Sequence, residues 1–272
     1  MQNDLTYPCI MGILNRTPDS FSDGGRFLAV DAALHHVEYM IASGAQIIDI
    51  GGESTRPGAE QVSLQIELDR TLPLLEKIKA EFPVFISIDT NKAAVMQAAI
   101  AAGADMINDI KALQNENALM TVSNHPKVKV CLMHLQGEPR SMQQNPQYHY
   151  VVTEVKQFLL DRIETCLTAG ISADRIIIDP GFGFGKTLAH NLQLMRGLSQ
   201  LTELNYPVLI GISRKSMLGA LLNKTSDQRL YGGLALTTYA LLQGAAIIRT
   251  HDVAETQDVL KVTQALLHHV DS

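Results

Sequence analysis

Eight short apolar runs recur along this chain, at residues 9–14, 47–50, 84–88, 106–107, 128–133, 176–178, 208–212 and 246–248. Runs of this length, rich in Ile, Val, Leu and Met and without polar alternation, read as strands buried on both faces, as in a parallel sheet. The intervals carry helical spacing; residues 29–41 place apolar side chains three and four apart and stop at Ser43-Gly44. The same stop recurs at Ala102-Gly103, Ala169-Gly170 and Gln243-Gly244, each a few residues before the next run. Eight strand-then-helix units predict right-handed parallel crossovers and a closed (β/α)8 TIM barrel in one domain, residues 1–272.

The polar residues ending these runs change the picture. Asn15, Asp49 with Glu53, Asp89, Asn108, His134, Asp179, Arg214 with Lys215, and Arg249 with His251 stand where the strands stop. Singly, each is explained as a helix cap or turn former. A barrel delivers all its strand ends to one rim, so together they predict one site built from many segments.

Composition narrows the function classes. The chain has 272 residues, 46% of them hydrophobic, and a net charge of −6. It lacks the basic stripe that nucleic acid or an anionic membrane surface requires. Cys9, Cys131 and Cys166 form no C-x-x-C pair or even framework, which fits a reducing cytoplasm. The first residues show no export signal, and no apolar run approaches membrane-spanning length.

Several segments carry candidate chemistry. Asp179-Pro180-Gly181-Phe182-Gly183-Phe184-Gly185-Lys186-Thr187 follows a strand and lets backbone approach a flat ligand or an anion. Its spacing does not match G-x-x-x-x-G-K-[ST], which excludes a P-loop. Asp179 leaves a buried strand and suits two parallel hydrogen bonds from a heterocycle's donor pair. Gly211-Ile212-Ser213-Arg214-Lys215-Ser216 and Arg249-Thr250-His251-Asp252 focus cations at the seventh and eighth strands, where barrels hold phosphate. The polar segments 15–25 and 51–58 read as rim loops, the first with a Gly24-Gly25 hinge. His35, His36, His268 and His269 lie away from the strand ends and read as structural.

These motifs, in this order, resemble the dihydropteroate synthases of folate biosynthesis. The resemblance rests on Met11-Gly12-Ile13-Leu14-Asn15 with Thr17-Pro18-Asp19-Ser20-Phe21-Ser22-Asp23-Gly24-Gly25, and on Asp49-Ile50-Gly51-Gly52-Glu53-Ser54-Thr55-Arg56-Pro57-Gly58. Ser87-Ile88-Asp89-Thr90, Ile107-Asn108-Asp109, Met133-His134-Leu135-Gln136-Gly137, the segment from Asp179 to Lys186, Ser213-Arg214-Lys215-Ser216 and His251-Asp252-Val253 complete it. It implies condensation of 6-hydroxymethyl-7,8-dihydropterin diphosphate with 4-aminobenzoate by a dissociative route, with Mg2+ required, in a homodimer that sulfonamides target. By the same resemblance Asp89, Asn108, Asp179 and Lys215 hold the pterin, with Asp89, Asp179 and Lys215 catalytic. Asn15, Thr55, Arg249 and His251 hold the diphosphate, Asn15 also binding the metal. Phe21, Thr55, Arg56, Pro57, Phe184, Lys215 and Ser216 build the aminobenzoate site, and Asp23 orders the closing loop.

Three positions depart from the family pattern: Arg16 for a common Val, Leu135 for a common Met, and Lys111 beyond Asn108-Asp109. Two other readings are a catalytically silent pterin-binding paralogue, which an Asn-Arg-Thr run favours, and a corrinoid-linked methyltetrahydrofolate methyltransferase. The long 15–25 loop, Arg249 and His251 weigh against the methyltransferase.

Overall fold

A computed structural model of the chain describes residues 5–15, 26–54 and 58–267. Its strands are β1 (Cys9–Asn15), β2 (Ile47–Gly51), β3 (Phe85–Asp89), β4 (Met106–Asp109), β5 (Lys129–Met133), β6 (Ile176–Asp179), β7 (Leu209–Ile210) and β8 (Ile247–Thr250). All pair in parallel, in the order β6-β5-β4-β3-β2-β1-β8-β7. A parallel bridge between Ile178 and Val208 joins the two ends and closes the barrel. The expected (β/α)8 architecture is therefore present.

Helices α1 (Arg26–Ala42), α2 (Leu64–Glu81), α3 (Ala93–Ala101), α4 (Ala118–Ser123) and α5 (Val151–Thr168) occupy the first five crossovers. Then come α6 (Leu188–Arg196), α7 (Ser199–Thr202), α8 (Ser216–Leu222), α9 (Leu230–Leu242) and α10 (Val253–Leu267). The expected Gly stops hold for a physical reason. Gly44, at φ +106°, reverses the chain after α1 so that Ala45 N–H reaches the Met40 carbonyl at 2.9 Å. Gly103, Gly170 and Gly244 also have positive φ, a conformation that costs glycine little.

Two cores result from the strand period of two. Ile10, Ile48, Ile86, Ile107, Val130, Ile176 and Ile248 pack with the helices. Cys9, Met11, Ile47, Phe85, Met106, Cys131, Ile177, Leu209 and Ile247 form a second cluster that fills the barrel. Stepping along the inner parity toward the strand ends passes from Ile47 to Asp49, Phe85 to Asp89, Met106 to Asn108, Ile177 to Asp179 and Ile247 to Arg249. The inner face is thus apolar at the bottom and chemical at the top.

β7 differs from expectation. The apolar run 208–212 yields a ladder only over Leu209 and Ile210, paired with Ile247 and Ile248. Beyond Gly211 the chain leaves the sheet and turns through Arg214, at φ +59°, toward Lys215 at the start of α8. The shortened strand carries its cation into the rim instead of along the wall.

Candidate active site

Inner-parity residues from five strands meet over the filled barrel. Arg249 lies between two carboxylates: its Nε donates to Asp49 Oδ2 at 2.6 Å and its Nη2 to Asp89 Oδ2 at 3.0 Å. Asn108 Nδ2 donates to the same Asp49 oxygen at 3.2 Å. Burial pushes the Asp89 carboxyl up to about 7; Arg249 opposes this, while Asp49 adds to it. Desolvation outweighs the ion pair here because Asp89 is only 7% exposed and other acids surround it.

The opposite wall comes from the loops after β6 and β7. Lys215 donates from Nζ to the Phe182 carbonyl and lies 4.6 Å from the centre of the Phe184 ring. Burial lowers its ammonium to about 8, with Asp179 holding it from falling further. Asp179 is buried and its carboxyl is raised by desolvation, against Lys215; its Oδ1 accepts from Gly181 N–H at 2.7 Å.

The loop carrying Phe184 is built rigidly. Lys186 Nζ donates to the carbonyls of Gly181 at 2.9 Å and Phe184 at 3.1 Å, and lies 2.9 Å from His134 Nδ1. Gln143 donates to the Gly183 carbonyl and Tyr148 to that of Gly185, so every carbonyl from 181 to 185 is engaged by a side chain. Burial, followed by the Lys186 charge, drives the His134 imidazole down to about 2, so it is a neutral acceptor.

A cavity of about 370 Å3 is lined by Asn15, Phe184, Lys215, Ser216, Arg249 and His251, among others. Six of the expected site residues thus face one space. Asp89 and Asp179 join it through Arg249 and the 181–185 loop, and Asn108 through Asp49. Thr55, Arg56, Pro57, Phe21, Asp23 and Arg16 lie outside the described residues.

His134 and Asp109 do not line the cavity, and Arg214 and His251, which do, are held by residues of the neighbouring loop. His134 has outer parity and packs edge-on against Phe158, with ring centres 4.9 Å apart. Asp109, also of outer parity, accepts from Lys111 and Leu113 N–H at 2.8 Å each and shapes a turn. Arg214, expected to add to an anion-binding focus, is ion-paired with Asp252 and stitches the β7 and β8 loops together. His251 Nδ1 lies 3.1 Å from Ser213 Oγ across the same two loops. Lys111 bonds Glu138 at 2.6 Å and links the loops after β4 and β5.

Asp49, Lys186 and a buried network behind β2 acquire their functions only from the fold. In that network Lys92 Nζ contacts Glu53 at 2.7 Å and also Glu67, which accepts the Thr90 hydroxyl; Glu53 accepts Val62 N–H at 2.9 Å. It anchors both sides of segment 55–57. Lys92→Met leaves Glu67, 1% exposed, without its cation, and is expected to cost about 2 kcal/mol in urea unfolding. Unchanged stability would show that the network is dispensable.

Comparison with known proteins agrees with this geometry. The family described as pterin binding enzyme matches residues 11–251. Dihydropteroate synthase of Haemophilus influenzae is 53% identical over 262 residues, covering 96% of this chain and 95% of its own. A Yersinia pestis dihydropteroate synthase solved with a sulfonamide drug complex superposes with a TM-score of 0.91 at 50% identity, covering 97% of this chain and 96% of its own. The Xanthomonas albilineans enzyme solved with 7,8-dihydropteroate superposes at 0.87 and 44% identity, covering 97% and 95%. An inner-face acid and guanidinium cluster, a cationic rim and full-length similarity converge on one conclusion: the chain belongs to the pterin-binding enzymes, among the dihydropteroate synthases.

Proposed function

We propose that this chain condenses 6-hydroxymethyl-7,8-dihydropterin diphosphate with 4-aminobenzoate, giving 7,8-dihydropteroate and diphosphate. The observation that carries the reading is the arrangement of charge at the site: Arg249, Lys215 and His251 line the cavity, and the buried carboxylates Asp89 and Asp179 stand behind it, Asp89 on Arg249 and Asp179 at the 181–185 loop. Such a site is suited to a substrate with a planar donor-rich ring and an anionic tail.

In this reading Asp179 accepts from the pterin's amino and ring N–H groups, and Asn108, Asp89 and Lys215 complete the ring site. Arg249 and His251, with Thr55, hold the diphosphate. As the methylene C–O bond breaks, both its electrons leave with diphosphate, and Asp89 and Asp179 stabilise the positive charge left on the pterin. The aminobenzoate nitrogen then attacks the methylene and loses a proton. Phe184, Ser216 and Lys215, with Phe21, Thr55, Arg56 and Pro57, hold that second substrate, and Asp23 orders the loop that excludes water.

The donor set also fits Mg2+. Among the described residues no cluster of three acidic, His or Cys ligands stands ready for a metal. Asn15 offers an amide oxygen beside Gly51, where a Cβ would come within 3.0 Å of it. One hard oxygen ligand beside room for diphosphate oxygens and waters is how this ion is commonly held. When bound, Mg2+ would offset charge on the departing diphosphate.

The decisive assay supplies pterin diphosphate, 4-aminobenzoate and Mg2+, follows dihydropteroate and diphosphate, and omits each component in turn. Product that depends on all three supports the reading. Diphosphate release without dihydropteroate, or no turnover at all, would overturn it.

The pH profile is a further test. For pterin diphosphate, kcat/KM is expected to fall as pH drops through about 7, where Asp89 takes a proton, and as it rises through about 8, where Lys215 loses one. Lys215→Arg keeps its charge and is expected to move the alkaline limb upward; an unmoved limb would remove Lys215 from that role.

The homodimer belongs to the same proposal. Tyr231 at 78% and Leu242 at 48% exposed on α9, with Val262 and Leu266 on the adjoining α10, present apolar surface that a second copy would cover. Sedimentation equilibrium reporting only monomer would reject it. Cytoplasmic residence is supported by Cys9, Cys131 and Cys166, all buried as free thiols. No helix among the described residues is long and apolar enough to cross a membrane.

A further inference from the structure

Asp49 is a buried carboxylate behind Arg249 for which the reaction outlined above has no use. It is fully inaccessible, yet its Oδ2 holds both Arg249 Nε at 2.6 Å and Asn108 Nδ2 at 3.2 Å. One partner belongs to the proposed diphosphate cradle and the other to the proposed pterin site. Its second oxygen, Oδ1, is buried with no hydrogen-bond partner among the described residues. An ionised group so placed is costly, and an apolar side chain would fill the layer at less cost. Its charge, rather than its packing, is therefore the property to explain.

The charge acts on Arg249. That guanidinium faces Asp49 and Asp89 together, two carboxylates against one cation. Asp89 approaches from the side of the reacting pterin, whereas Asp49 lies beneath it in β2 with no exposure. An anion arriving at Arg249 therefore meets a cation whose field is already largely offset from below. The same negative charge adds to the potential that would face a developing pterin cation.

We propose that Asp49 is a positioning residue that acts through Arg249: it fixes the guanidinium and, by offsetting its charge, keeps the hold on diphosphate weak enough for release. The inference deepens the synthase reading and rests on it for the identity of the anion. It makes an unusual prediction, because removing a contact should tighten a ligand. Asp49→Asn retains an oxygen that can accept from Arg249 Nε while deleting the charge.

The test is calorimetric titration of inorganic diphosphate with Mg2+ into the wild type, D49N, R249Q and the double variant, alongside steady-state kinetics. D49N is expected to bind diphosphate about tenfold tighter and to turn over about tenfold more slowly, with KM for aminobenzoate unchanged. In the R249Q background the same substitution is expected to change diphosphate affinity less than twofold, since the effect passes through Arg249. Loss of packing would weaken the ligand, so weaker or unchanged binding in D49N overturns the proposal. Equal tightening with and without Arg249 also overturns it, as does a wild type that binds no diphosphate. Thermal unfolding checks that each variant folds, and D49S, which removes the same charge with a smaller side chain, carries the same expectation. Diphosphate binding is read without turnover, so a wild type that makes no dihydropteroate would sink the synthase reading and leave the Asp49 cycle to be decided by itself.

Discussion

Asp89→Asn is expected to lower kcat about a hundredfold while changing KM for the pterin diphosphate by less than about threefold. The asparagine is nearly the same size and keeps an oxygen that can accept from Arg249 Nη2, so ground-state binding geometry is largely preserved. What it loses is the negative charge, which matters most when positive charge develops on the pterin. Asp89 is 7% exposed, and water therefore does little to screen that loss. The variant should also lose the acid limb of the pH profile near 7, because the group whose protonation produces it is gone. Steady-state kinetics over a pH series checks both points. An unchanged kcat, or a KM increase that accounts for the whole loss, would show that Asp89 only binds.

Gly181→Ala is expected to cost about 3 kcal/mol of stability and to reduce kcat/KM more than a hundredfold. Gly181 has φ +69°, and a Cβ there would lie 1.9 Å from the backbone carbonyl oxygen of His134. That oxygen cannot yield as a flexible side chain can, so the 181–185 loop must move. The loop holds Lys186 through Gly181 and Phe184, receives Lys215 at Phe182, and sets Phe184 beside it. Moving it disturbs both proposed substrate sites. Gly170→Ala is the control: Gly170 also has positive φ, +86°, but a Cβ there would meet nothing within 4 Å. It should cost only about 1 kcal/mol, the backbone share, and leave kcat/KM unaltered. Urea unfolding and kinetics separate the two, and wild-type kcat/KM in Gly181→Ala would show that the loop adapts.

The strands were legible because a sheet covered on both faces needs nearly continuous apolar runs, and this chain has eight, interrupted only by single residues such as Asp49, Ser87 and Lys129. Their ends were less so. β1, β3, β4, β6 and β8 all continue past the runs to include Asn15, Asp89, Asn108 with Asp109, Asp179, and Arg249 with Thr250. A backbone ladder pairs N–H with C=O whatever the side chain, so a polar residue does not end it. β7 errs in the other direction: Ile212 is apolar and buried but lies outside the ladder, in the turn that presents Lys215.

One further property was open to sequence reasoning. Counting in twos from the apolar inner positions separates Asp49, Asp89, Asn108, Asp179 and Arg249 from Asp109 and His134, which only shape and support the loops. Asp49 stood among the strand-end residues, and its parity already placed it with the pocket. Its partnership with Arg249 was not visible, since 200 positions separate them and only closure of the barrel through β8 and β1 brings them within 2.6 Å. The same is true of Lys186 and His134, 52 positions apart, and of Lys92 with Glu53 and Glu67.

By itself, then, the sequence determined the repeated strand-helix units, the glycines that end helices, and which residue types reach the rim. These follow from local periodicity, from backbone freedom and from the composition of ordered motifs. Only the tertiary structure decided how the charges are shared: Arg249 between two carboxylates, Arg214 paired with Asp252, and Lys186 turned inward to hold a loop. Electrostatic partnership depends on distance and burial in three dimensions, and neither quantity is written in the spacing of residues along the chain.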